Sequence, residues 1–190
     1  MSGIIIEDKC FKGNDFSGIE FVKGDYEKCT FVNCIFVQAD LSNLNFMECE
    51  FDNCDLTMAK INDTALKTVN FVNCKLLGLH FTNCNHFLFS VSFKGCLLNL
   101  VSFYKLKMKG TEFKNCNLTE ADFSEADLTN SIFDNCDLAG TIFDHTILEK
   151  VDFRTSFNYS INPESNRIKN AKFSIGGIAG LLDKYNIQIE

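Results

Sequence analysis

The sequence has no tryptophan, a single proline (Pro163) and only three histidines, His80, His86 and His145. It has no apolar run near the length of about 18 residues that a membrane-spanning helix needs, so no transmembrane helix is expected. It opens Met1-Ser2-Gly3-Ile4-Ile5-Ile6-Glu7-Asp8, without a basic segment and with an apolar run of only three residues, which is not the pattern of a secretory signal. It has no excess of bases. A net charge of −7 argues against a protein that coats nucleic acid by neutralising phosphates. Without an export signal, its ten cysteines read as reduced thiols rather than a disulfide framework, and the expected location is cytoplasmic. No Cys-x-x-Cys pair occurs, and the three histidines suggest no Ser-His-Asp or Cys-His arrangement. Gly176-Gly177-Ile178-Ala179-Gly180 is too short and wrongly placed for a nucleotide loop. No enzyme, cofactor or metal site is therefore expected.

What the 190 residues do contain is 20 phenylalanines and a period. Large apolar residues recur every fifth position from Phe11 through Phe16, Phe21, Tyr26, Phe31 and onward to Phe81. The frame slips by two across Cys84-Asn85-His86-Phe87, resumes at Leu88 and runs through Phe93 and Leu98 to Phe153. Helices and strands have side-chain periods of 3.6 and 2, so a sustained period of five requires a chain that turns a corner at each repeat. A second inward position lies two residues before each centre and holds small or aliphatic residues. Nine of the ten cysteines sit there, six of them in one column: Cys34, Cys54, Cys74, Cys96, Cys116 and Cys136.

Units such as Cys54-Asp55-Leu56-Thr57-Met58 and Ala121-Asp122-Phe123-Ser124-Glu125 resemble the pentapeptide repeat family, with its consensus A(D/N)LXX, over residues 11–153. The resemblance implies an all-β solenoid, a right-handed quadrilateral β-helix with four repeats per coil. Every twentieth residue, allowing two for the slip, should then share a face. One such column reads Phe11, Phe31, Phe51, Phe71, Phe93, Phe113, Phe133 and Phe153, with Phe173 one step further. Another reads Tyr26, Phe46, Leu66, Leu88, Met108, Leu128 and Leu148. About eight coils are expected. Stacked coils hold equivalent thiols about 4.8 Å apart, too far for a tetrahedral zinc site with sulfurs roughly 3.8 Å apart, so the cysteines read as small core groups.

Three segments are expected: an N-terminal cap at 1–10, the repeat helix at 11–157 with a bulge at 84–90, and a C-terminal cap at 158–190. In the last, Ile178, Leu181, Leu182 and Tyr185 lie at helical spacing, and Ile187 and Ile189 alternate as a final strand would. Exposed solenoid ends need such caps.

Charge is banded along the chain. Residues 1–59 carry net −7, 60–109 net +6, 110–152 net −8 and 153–190 net +2. The resemblance extends to the quinolone-resistance group of the family, read as mimics of B-DNA that bind DNA gyrase and topoisomerase IV and dimerise through their C-terminal end. It implies a type II topoisomerase as partner, a homodimer through Ile178, Leu181, Leu182 and Tyr185, and no direct contact with nucleic acid or membrane. The candidate partner-binding residues are Asp122, Glu125, Asp127, Asp134, Asp137, Asp144, Glu149 and Asp152. The alternative is a rigid scaffold or adaptor for another protein. The acids of 110–152 spread over all four faces, and Lys60, Lys67, Lys75, Lys94, Lys105, Lys107 and Lys109 form a belt foreign to a DNA mimic.

Overall fold

The computed structural model describes residues 4–188. The chain winds as a parallel β-solenoid in which each coil stacks on the one before it. Four strands form one sheet in the order β1 (Ile5–Glu7), β3 (Asp25–Glu27), β5 (Asn45–Met47), β7 (Ala65–Lys67). Seven form another: β2 (Cys10–Lys12), β4 (Thr30–Val32), β6 (Glu50–Asp52), β8 (Val69–Val72), β9 (Val91–Lys94), β10 (Glu112–Lys114), β11 (Ile132–Asp134). All pairings are parallel and in a register of twenty, as in Phe31↔Phe51, except β8–β9, where Phe71 opposes Phe93. The other two faces are held by isolated bridges such as Ile35↔Asp55 and Asp40↔Lys60. The bridges Ile132↔Asp152 and Asp152↔Lys172 carry the longer ladder past residue 157. The coil count differs slightly from the eight expected.

The inward columns fill the interior. Phe31, Phe93, Phe113, Phe133 and Phe153 are buried. Their rings stack along the axis with centroids 4.9 Å apart for Phe11–Phe31, 4.7 Å for Phe113–Phe133 and 5.4 Å for Phe153–Phe173. A second stack runs through Phe81, Phe103, Phe123 and Phe143. The spacing is that of adjacent parallel strands, so one register serves both backbone pairing and ring stacking.

Each corner has a backbone cost. Residues in the left-handed region recur at intervals of five, among them Asn33, Gln38, Asn43, Glu48 and Asn53. Among the described residues, asparagine fills ten of the 24 non-glycine positions of this kind, because its short amide tolerates positive φ better than most side chains. The Asp or Asn just before each centre has a matching task. Asp40 Oδ1 accepts the Ser42 N–H at 2.9 Å, Asp122 that of Ser124 at 2.9 Å and Asp127 that of Thr129 at 3.1 Å. These Asx turns tie the corner and explain the D/N of the repeat.

The expected inward place of Leu88 fails at the slip, and the expected cap helix is present in 3-10 form. Leu88 is not inward: it is 64% exposed with φ +56°, and Phe89 packs partly buried against Phe81 instead. The extra residues are taken up outside, with Asn85 Oδ1 accepting the Phe87 N–H. At the C-terminus the amphipathic helix is two short 3-10 segments, Ile175–Leu181 and Asp183–Tyr185, ending at Asn186 with φ +48°. Gly176, Gly177 and Gly180 weaken an α-helix there, and Gly177 and Gly180 lie so close over Tyr159 that a Cβ would collide with it. Tyr159, buried between Phe153 and Phe173, is the plug that closes this end. Ile187 is in no strand, and Ile189 lies outside the described residues, as do Met1–Gly3 of the expected N-terminal cap.

Candidate functional site

The interior is filled by buried side chains. Nine cysteines are buried, Cys10 is exposed, and all ten are free. Burial pushes the Cys84 thiol up to about 12 and that of Cys49 to about 11, so both stay protonated at neutral pH. Among the described residues, no group of three or more His, Cys, Asp or Glu side chains is placed to hold a metal ion. His86 Nε2 lies 3.0 Å from the Thr82 carbonyl, and His145 Nδ1 lies 3.0 Å from Asp144, both on the surface. What remains is the outer lattice of side chains.

The eight candidate acids stand on that lattice, but most are engaged. Glu125 pairs with Lys105 at 3.4 Å and accepts the Tyr104 hydroxyl at 2.9 Å. Asp127 pairs with Lys109 at 3.2 Å, Asp134 with Lys114 at 3.4 Å and Glu149 with Arg167 at 2.6 Å. Asp152 meets Arg154 at 2.7 Å and Lys172 at 3.8 Å, and these partners, Arg154 foremost, hold its carboxyl below the ordinary value. Asp144 meets His145. Asp122 and Asp137 tie corners, to the N–H groups of Ser124 and Ala139. Burial works against the Asp127 carboxylate, yet the Thr129 hydroxyl and N–H and the Lys109 ammonium hold its pKa low. Most of these ion pairs join one coil to the next. Five of the ten acids of 110–152 are thus matched by bases on adjacent coils, and no single face collects the ten.

The C-terminal candidates divide. Leu181 packs partly buried against the core, Leu182 is half-buried, and Ile178 and Tyr185 are exposed. The Tyr185 hydroxyl donates to Glu164 at 3.0 Å, and Lys184 pairs with the same carboxylate.

The sequence reading places a bulge at 84–90 but does not mark its corner as a candidate surface. Phe87 is 70% exposed and Leu88 64%, side by side midway along the rod. The available signal was the two-residue interruption itself, inside a stretch from 64 to 111 that contains no acid.

A family model described as pentapeptide repeat region matches residues 4–81, 44–123, 86–159 and 107–179. No curated protein matches the chain. Among solved structures, full-length QnrB1, a plasmid-mediated fluoroquinolone resistance protein, is 20% identical with a TM-score of 0.46, covering 96% of this chain and 100% of that one. A trypsin-treated QnrB1 variant is 21% identical with a TM-score of 0.48, covering 97% and 99%. HetL, a pentapeptide repeat protein involved in heterocyst differentiation regulation from the cyanobacterium Nostoc sp. strain PCC 7120, is 14% identical with a TM-score of 0.33, covering 91% and 87%.

Proposed function

The chain belongs to the pentapeptide repeat family, and from that premise we propose that it is a non-enzymatic interaction protein, a rigid rod that binds another protein through its outer side chains. The observation that carries this reading is the division of labour within each repeat. The inward positions are committed to packing, the corner positions to backbone turns, and the outward positions are left facing outward. A rod whose interior is packed with side chains offers its outer surface for contact. No helix among the described residues is long and apolar enough to cross a membrane. The proposed setting is the cytoplasm, with homodimerisation through 158–190, where Ile178 and Tyr185 stand exposed.

A sharper version makes the partner a type II topoisomerase and the rod a mimic of B-DNA. The concentration of acid favours it: residues 110–152 carry net −8 over about two coils, close to the roughly six charges that 10 Å of duplex carries. The ion pairs on Glu125, Asp127, Asp134, Glu149 and Asp152 work against it, because a phosphate mimic needs unmatched charge. The scaffold reading is the better supported. The test is gyrase supercoiling with increasing protein, with and without a fluoroquinolone. Inhibition at micromolar levels, or relief of drug-stabilised cleavage, establishes the mimic. No effect on either readout removes it and leaves the scaffold.

A further inference from the structure

The corner at His86–Leu88 interrupts the regularity of the repeats midway along the rod. Phe87 and Leu88 project there with exposures of 70% and 64%. Around them the lattice places bases. Lys67 lies on β7, on the coil before the bulge and on the same face. Lys107 and Lys109 lie on the next level of that face, where Lys107 bridges Asp127. Lys94 ends β9, across the adjoining corner. Of these, Lys109 is held by Asp127, whereas Lys67, Lys94 and Lys107 take part in no ion pair among the described residues.

We infer that this corner is a docking site for an acidic polypeptide segment of a partner protein, with Phe87 and Leu88 as its apolar anchor and Lys67, Lys94 and Lys107 as its charged rim. An apolar centre ringed by charge is the ordinary anatomy of a protein interface, and three unmatched ammonium groups select a partner of opposite sign. The neighbouring bands select its size. The acid-free stretch spans little more than two coils, on the order of 10 Å along the axis. On either side the chain turns acidic, net −7 over 1–59 and net −8 over 110–152. A duplex laid along the rod, or a planar anionic membrane against this face, meets both acidic bands and is repelled. A short acidic segment bearing an apolar side chain fits between them.

The inference rests on the interaction-protein reading and names its surface. The experiment is selection of random twelve-residue peptides on the purified full chain, followed by fluorescence anisotropy of the enriched peptides. Enriched sequences are expected to combine acidic residues with a large apolar one. Their affinity should fall at least tenfold with Phe87→Ser and with Lys67→Glu/Lys107→Glu, and remain unchanged with Ile175→Ser at the far end. Far-UV circular dichroism checks that each variant is folded. Enriched peptides without acidic bias, or ones indifferent to Phe87 and to the lysines, overturn the docking site while leaving the interaction reading intact. Competition by a single-stranded oligonucleotide or phosphatidylserine vesicles at lower concentration than the free peptide also overturns it. Failure to enrich any peptide on any face counts against both readings.

Discussion

The Sγ atom of Cys74 lies 3.2 Å from the carbonyl oxygen of Phe51, 23 residues earlier on the coil below. Cys54 stands in the same relation to Phe31 and Cys136 to Phe113. Thr64 donates to the Leu41 carbonyl, Ser131 to that of Met108 and Thr141 to that of Leu118 with the same offset. The small inward position is therefore a donor position, which a thiol, a hydroxyl or, at Asn166, an amide can fill.

This geometry fixes the reactivity of the thiols. In the native protein, a thiol reagent such as Ellman's should modify Cys10 rapidly and the nine buried cysteines only after denaturation. The time course of absorbance, with and without guanidinium, gives the count. Several fast native thiols would mean that the coils open far more readily than the packing implies.

Stability should form a plateau bounded on both sides by titration. The carboxyls of Asp40 and Asp152 lie below the ordinary value of 3.8, lowered chiefly by hydrogen bonds from Ser42 and Arg154. Because they are lower in the folded state, their contribution is complete above about pH 4 and is lost as pH falls through the folded values. The buried thiols of Cys49 and Cys84 are raised from 9.0 to about 11 and about 12. Their contribution is complete below pH 9 and fades as pH climbs towards those values. Melting temperatures from pH 2 to 11, followed by circular dichroism, should decline at both edges.

The stacked rings predict a local weak point on demand. Phe113 is fully buried, stacked 5.2 Å from Phe93 and 4.7 Å from Phe133. Phe113→Ala should cost about 3–5 kcal/mol by leaving a cavity. Since each coil touches only its neighbours, the two halves should then melt separately. Calorimetry of the variant distinguishes two transitions from one.

Thr68 holds φ +55° between β7 and β8, a left-handed conformation that its branched Cβ opposes. It is exposed, so replacing it disturbs no packing. Thr68→Asn or Thr68→Gly should stabilise the fold by about 0.5–1 kcal/mol, or roughly 1–4 °C in Tm at this chain length. A lower Tm would show that the hydroxyl or methyl contributes more than the strain removes.

Periodicity made most of this legible. The spacing of five located the columns, and the repetition at twenty located the coil, because only an identical register lets Phe stack on Phe from Phe11 to Phe173. Where the period stopped, so did the reading. Leu88 had the right spacing for an inward place, but spacing cannot show which of two adjacent apolar residues a bulge turns inward, and Phe89 won. Asn158 fell on a centre position, yet Tyr159 fills the end, because two glycines further along let the chain close over its ring. The pairing of Glu149 with Arg167 or Asp127 with Lys109 was hidden as well. It depends on which outward side chains meet across a coil boundary, and a banded charge count averages that away.

The two additional residues at the slip have a geometric consequence. A lattice that repeats identically along its axis has no origin: a ligand that recognises only spacing can slide by one step and find the same scaffold again. The projecting corner at Phe87 and Leu88 interrupts that translation once. It marks the rod like the zero on a ruler, so that a partner can be bound at one height rather than at any.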